Sequence, residues 1–309
     1  MTIEKTFHQL RTNKKITLTA LSDQNASASF IGKFEKGQTN MSVSRFFKLL
    51  EKMHVSQAEF EFLLLEHNEN YLSKRIKLID NQAITRELVQ KFYKTIKKDQ
   101  LENQGDNTSE FLLILASGLL LLLNQEVKKW PSTELYNLAK PVQDYLLGVE
   151  TWGIYELQIF TLISFMLPAE ILYLLTKLAI KRVQLYKHSL LNIQTQLMHV
   201  VWTSFSTLVY EQPTSAYKLL NVAEKHLMNN VDLTEKITLI FNKGWYEIEI
   251  GHITKGVRQA NIAIDIYNSL GYKEQAINLS KQLEHHIRRQ DEKKQGYKPD
   301  GSRVISIYI

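Results

Sequence analysis

"SFIGKFEKGQ", residues 29–38, crowds apolar, small, basic and acidic residues into ten positions and closes on a glycine-glutamine pair. Placed on a helix at about 100° per residue, Ala28, Ile31, Phe34 and Glu35 share one side. Ser29, Phe30, Lys33 and Lys36 lie on or near the other. A seam of two large apolar residues is enough to dock a short helix and too little to bury one. Ile31 and Phe34 would meet Leu10 and Leu18 or Leu21 upstream, leaving Ser29 and Lys33 pointing away from the core. That is how a recognition helix faces a DNA major groove.

The flanking sequence breaks into further short helical units. "EKTFHQLRTN" (4–13) and "LTALSDQ" (18–24) precede the central stretch, which ends at the helix-stopping Gly37. "SVSRFFKLLEKM" (42–53) follows with Ser42 placed to cap it, then "SQAEFEFLLL" (56–65), with Ser56 and Glu59 at capping-box spacing. Five helices over residues 1–65, with a tight turn between the second and third, predict a helix-turn-helix DNA-binding domain. Charge agrees. Residues 1–55 hold nine lysine and arginine residues against four acids, a balance of +5, while the whole chain carries +6. Nearly all the net positive charge thus sits in the first sixth of the sequence, as contact with phosphates would require.

Within this unit the residue types assign candidate contacts. Lys33 and Lys36 can reach a guanine edge or a phosphate, Ser27 and Ser29 can bond either, and Phe30 can touch a thymine methyl or pack under the next helix. Arg11, Lys14, Lys15 and Arg45 suit flanking phosphates. Glu35, which DNA would repel, is expected to pair with Arg11 inside the domain.

Beyond a polar linker at 66–75, amphipathic helical patterns continue to about residue 292, with breaks near 103–109, 128–133, 210–215, 229–234 and 268–272. Five prolines and twelve glycines in 309 residues are too few for a turn-rich sandwich or barrel, so the fold class is all-α. Paired helices without strand signals predict a tetratricopeptide-like α-solenoid over 76–292 for regulation and dimerisation. The best repeat-like segment is 239–276, where Gly244, Gly256, Ala260 and Ala263 supply small residues for close helix packing. A tail, 293–309, contains a Pro299-Asp300-Gly301 turn signal followed by alternating Ile305, Ile307 and Ile309.

Several function classes are excluded by composition. With no cysteine there is no disulfide, thiolate metal site or cysteine nucleophile, which fits a reducing compartment. The run "FLLILASGLLLLL" (111–123) is thirteen residues long, short of the roughly 20 needed to cross a bilayer, and reads as a buried helix. No secretory apolar segment opens the chain, so a cytoplasmic protein without membrane association is expected. No histidine pair has metal-ligand spacing. The G-x-x-x-x-G at Gly251–Gly256 is followed by Val257 where a phosphate loop needs lysine. Neither an enzyme nor a cofactor or metal protein is expected.

Residues 10–60 closely resemble the N-terminal domain of the Rgg/GadR/MutR transcriptional regulators of Gram-positive bacteria, an XRE-like helix-turn-helix. The family pattern S-x-S-x-I-S-[KR]-F-E-[RK]-G-x-x-x-[IM]-S is matched by Ser27, Ser29, Ile31, Lys33, Phe34, Glu35, Gly37, Met41 and Ser42. Gly32 stands where serine is usual. "ETWGIYELQIF" (150–160) and the segment 243–276 resemble the family's helical-repeat domain. The resemblance implies a homodimer that binds double-stranded promoter DNA and is controlled by a short signalling peptide held in the concave groove of the repeats, as in quorum sensing. Candidate groove residues are Asn192, Gln196 and Trp202, where polar groups interrupt an apolar helix face, and Arg182, which could meet a peptide carboxylate. Two other readings remain at this level: a helix-turn-helix regulator without a peptide ligand, and a repeat scaffold with a degenerate DNA-binding head.

Overall fold

A computed structural model of the chain describes residues 2–65, 71–79, 84–102, 107–124, 132–186, 193–228 and 232–295. They form two compact units, divided between Asn81 and Gln82. Among the described residues every regular element is helical, with one isolated bridge between Asp23 and Ala26.

The first unit holds α1 (Ile3–Asn13), α2 (Leu18–Leu21), α3 (Ala28–Glu35), α4 (Val43–Lys52), α5 (Gln57–Leu65) and α6 (Tyr71–Ile76). Each start has a side-chain cap where the sequence supplies one. Thr17 accepts from Ala20 N–H (3.0 Å) and Ser27 from Phe30 N–H (3.2 Å). At α5 the expected capping box forms, with Glu59 N–H donating to Ser56 Oγ at 3.1 Å and Ser56 N–H to the Glu59 carboxylate at 2.6 Å. Gly37 ends α3 with φ of +69°, a conformation that penalises any Cβ. The core gathers Phe7, Leu21, Ile31, Phe34, Leu49, Leu50 and Phe60. Phe7 meets Phe34 edge to face at 5.5 Å, and Phe46 meets Phe60 in the same way at 4.9 Å. The expected seam of α3 is therefore the buried one.

The second unit comprises α7 (Arg86–Glu102), α8 (Asn107–Leu123), α9 (Thr133–Gly148), α10 (Ile154–Ile163), α11 (Ala169–Arg182), α12 (Ile193–Glu211), α13 (Pro213–Leu227), α14 (Leu233–Glu249), α15 (Ile253–Ser269) and α16 (Lys273–Lys294). The apolar run 111–123 lies in α8, with Leu112, Leu115 and Ala116 fully buried. No helix among the described residues is long and apolar enough to cross a membrane. Pro168 sets the start of α11 and Pro213 opens α13, positions where a missing N–H costs nothing.

Packing sorts these helices into two layers. α8, α10, α12, α14 and α16 pack on one another in succession, whereas α9, α11, α13 and α15 pack mainly on their chain neighbours. The layer whose helices pack on one another is the inner one. α14 and α15 make the most intimate contact of the unit. Cβ atoms built at Gly244 would fall 2.7 Å from Ala260 N and Gly256 O, and one at Gly256 only 2.5 Å from Gly244 O. These glycines exist so that two backbones can touch. That is the structural use of the second glycine in the Gly251–Gly256 spacing.

Candidate DNA-binding face and ligand groove

α3 is oriented by charge as well as by its apolar seam. Glu35, at its C-terminal end, receives Arg11 Nε–H at 2.5 Å and an Arg11 Nη2 N–H at 2.8 Å, and lies 2.7 Å from His8 Nδ1. Arg11 Nη1 donates to the Ile16 carbonyl at 2.7 Å. Burial alone would raise the Glu35 carboxyl, but the hydrogen bonds from Arg11 and His8, with their charges, outweigh it and hold it below the ordinary value. The expected Glu35–Arg11 pairing is present, and it corrects the assignment of Arg11 to a phosphate. Its side chain is only 10% exposed and its donors are directed inward. A second clamp acts on the turn before α3. Lys52 Nζ lies 2.9 Å from Asp23 and donates to the carbonyls of Leu21 (3.1 Å) and Ser22 (3.2 Å).

With α3 fixed on two sides, its other face stands in solvent. Ser27, Ser29, Lys33 and Lys36 are all exposed, Ser27 while also capping the helix. Phe30 is half-buried against the core, and the exposed Arg45 of α4 lies over its ring at 5.7 Å. Packing thus accounts for the Phe30 side chain, and Arg45 is held beside the α3 face by cation–π attraction. Lys14 and Lys15 are exposed just after α1. Lys14 Nζ donates to the His54 carbonyl at 3.1 Å, and Lys15 sits at φ of +56°, which turns the chain toward α2. A Cβ at Gly32 would lie 3.3 Å from Leu18 Cδ1. Position 32 therefore faces α2, and a serine there would start from the helix–helix contact, not from the solvent face.

In the second unit the structure redistributes the four groove candidates. Asn192 lies outside the described residues. Arg182 donates to the carbonyls of Leu146 (2.7 Å) and Leu147 (3.0 Å), closing the C-terminal end of α9. Trp152 Nε1–H shares the Leu146 carbonyl at 3.2 Å, so the "ETWGIYELQIF" segment is a packed α9–α10 corner. Arg182 is thus a helix cap in place of a peptide anchor. Trp202 is buried to 2% exposure, and its Nε1–H donates to the buried Glu235 carboxylate. It is core, because its neighbours on the apolar side of α12 carry it inward. Burial raises the Glu235 carboxyl, with the Trp202 hydrogen bond opposing and Asp232 adding to the rise.

Gln196 alone remains as a groove candidate, and it is the first member of a half-buried stripe. Gln196, His199, Thr203, Ser206 and Tyr210 recur at helical spacing along one face of α12. All but Thr203 are half-buried. The opposite face carries Leu197, Val201, Phe205 and Leu208, all buried. α12 belongs to the inner layer, and the stripe runs along its mostly half-buried face. The sequence carries this signal in its spacing, which an eye drawn to amides alone passes over. No group of histidine or acidic residues among the described residues could hold a metal ion.

Residues 93–281 match the family described as HTH-type transcriptional regulator Rgg, C-terminal domain. The chain belongs to the Rgg family. That family consists of transcriptional regulators, not enzymes. Solved structures share the fold. The SHP pheromone receptor Rgg2 of Streptococcus dysgalactiae superposes with a TM-score of 0.68 at 21% identity, over 93% of this chain and 100% of that one. A protein of Listeria monocytogenes EGD-e, proposed to be a transcriptional regulator, gives 0.74 at 18% identity over 96% and 99%. PrgX in its complex with iCF10 gives 0.68 at 15% identity over 97% and 99%. At these identities the likeness to the Rgg2 and PrgX chains is one of fold.

Proposed function

We propose that this Rgg-family chain is a cytoplasmic, homodimeric regulator that binds double-stranded promoter DNA through residues 1–65 and is switched by a short signalling peptide. Helix α3 is its reading element. Lys33 and Ser29 meet base edges in the major groove, Ser27 and Lys36 flank them, and Lys14, Lys15 and Arg45 bind phosphates. The observation that carries the DNA reading is the division of α3 into a clamped inner face and an exposed Ser29–Lys33 face. A dimer would span two half-sites about 34 Å apart or a multiple of that.

The peptide is placed on the inner layer of the second unit, along the α12 stripe. Amide, hydroxyl and imidazole groups offer both donors and acceptors to an extended backbone, and the surrounding apolar wall suits apolar side chains. The SHP pheromone receptor Rgg2 and a bacterial peptide pheromone/receptor complex of the same fold support this reading.

The DNA test is a fluorescence-anisotropy titration of the protein against a duplex carrying the region upstream of its own gene and against a scrambled duplex, at several salt concentrations. Wild type is expected to prefer the first, and Lys33→Ala to lose affinity and lower the salt slope by about 1 for a phosphate contact, or to lose preference for a base contact. Equal binding of both duplexes, unchanged by Lys33→Ala, refutes the reading.

A further inference from the structure

At the Tyr210 end of the α12 stripe, three inner-layer helices bring together an aromatic and cationic cluster. The Trp245 indole of α14 stacks on the His286 imidazole of α16, with centroids 4.1 Å apart and planes 15° from parallel. Tyr210 meets Trp245 at 5.6 Å, its hydroxyl lies 3.4 Å from His286 Nδ1, and the Arg289 guanidinium covers the tyrosine ring at 4.0 Å. Trp245 is 6% and His286 2% exposed. The nearby Glu249 carboxylate is already occupied by Gln290 and Lys293 of α16.

Three groups in this cluster have no hydrogen-bond partner among the described residues: Trp245 Nε1, His286 Nε2 and Arg289 Nε. A buried donor left unmade is costly, and native proteins seldom keep several together without a use. The indole and guanidinium nitrogens can only donate. His286 is neutral, its imidazole pushed down to about 3 by burial and by the neighbouring His285 and Arg289. In the tautomer whose Nδ1 accepts from the Tyr210 hydroxyl, Nε2 carries the proton and donates as well. The cluster therefore wants an acceptor with more than one lone-pair direction, and Arg289 asks that it be anionic.

We infer that Trp245, His286 and Arg289 form a receptor for the C-terminal carboxylate of the peptide laid along α12. This rests on the peptide reading above. Two carboxylate oxygens supply the acceptors that three donors lack, and the half-exposed Arg289 leaves the Tyr210 ring to reach them. The carboxylate end also fixes the direction of the chain, with the body of the peptide running from Tyr210 toward Gln196. Amidation of the terminus removes the negative charge and places a donor against donors.

The test uses the full-length protein and two libraries of synthetic short apolar peptides, one with free C-terminal carboxylates and one with C-terminal amides. Native mass spectrometry identifies bound peptides and titration calorimetry measures the best binder in both forms. The expected result is binding of free acids, with the matching amides at least about tenfold weaker. Trp245→Phe, which keeps a ring in the stack, and Arg289→Gln should each weaken the acid about tenfold and leave the amide unchanged. A merely structural role would weaken both forms alike. Acids and amides bound equally would overturn the carboxylate receptor while leaving the peptide reading standing. Binding of neither library would overturn the peptide reading and this assignment with it.

Discussion

Gly244→Ala and Gly32→Ala add the same methyl group to a helix, and the structure assigns them opposite signs. At Gly244 the new Cβ falls 2.7 Å from Ala260 N and Gly256 O, both backbone atoms that cannot rotate away. Ordinary contact begins near 3.4 Å, so α14 and α15 must part by about 3.4 − 2.7 = 0.7 Å at their closest point. A gap of that size forfeits a quarter to a half of each dispersion contact along the seam, which includes Ile237, Ile248 and Ala263. Overpacking of this kind costs about 3 kcal/mol, the upper part of the usual range. Alanine's better helix propensity offsets about 1, leaving a loss of about 2 kcal/mol. For a unit of this size that is a fall in Tm of about 4–8 °C. At Gly32 the nearest atom is Leu18 Cδ1 at 3.3 Å, the tip of a half-exposed side chain that can yield. Propensity then dominates, and Gly32→Ala should stabilise the first unit by about 0.5–1 kcal/mol. All four tryptophans lie beyond residue 81, so their fluorescence follows the second unit, while far-UV circular dichroism follows both. A Gly244→Ala protein that melts at or above wild type would refute the reasoning.

Arg11→Ala leaves the Glu35 carboxylate buried with only His8 beside it, and should destabilise the first unit by about 3 kcal/mol in urea unfolding followed by circular dichroism. Because the folded state holds the Glu35 carboxyl below its ordinary value, its contribution is present above about pH 4.5 and disappears as pH falls through the lowered folded value. Glu35→Gln should flatten that part of the acid profile. Glu235 behaves in the opposite sense: its raised folded value makes ionisation a burden as pH climbs past about 4.5. Glu235→Gln keeps an acceptor for Trp202 Nε1–H and should leave thermal stability at pH 7 unchanged or raise it. Arg182→Ala uncovers the Leu146 and Leu147 carbonyls, and a lower Tm with unchanged peptide binding is expected by calorimetry.

Local signals carried the fold far. Helix caps, the Gly37 stop and the Ile31–Phe34 seam depend on residues within a few positions of one another, and sequence spacing encodes them directly. Small residues at 244, 256, 260 and 263 likewise announced a close helix pair. Long-range pairings were less legible. Arg182 finds carbonyls 35 and 36 positions away, and Trp202 finds Glu235 33 positions away. No local pattern marks such partners, so a charged or polar side chain in an apolar helix looked available when the fold had already engaged it. The Glu35–Arg11 pair was the exception, because an acid on the docking side of a short helix needs an internal cation. The α12 stripe was present as a spacing, but the inner-layer position of α12 depends on packing with helices far away in sequence.

The central claim is that a peptide on the inner layer of the second unit changes how the first unit holds DNA. It is tested by measuring the dissociation constant for the upstream duplex at fixed salt, with and without a saturating free-acid peptide selected from the library. Wild type is expected to shift at least about fivefold, in either direction, and Trp245→Phe to need more peptide for the same shift. A peptide that binds the protein yet leaves the DNA dissociation constant unchanged would contradict the account.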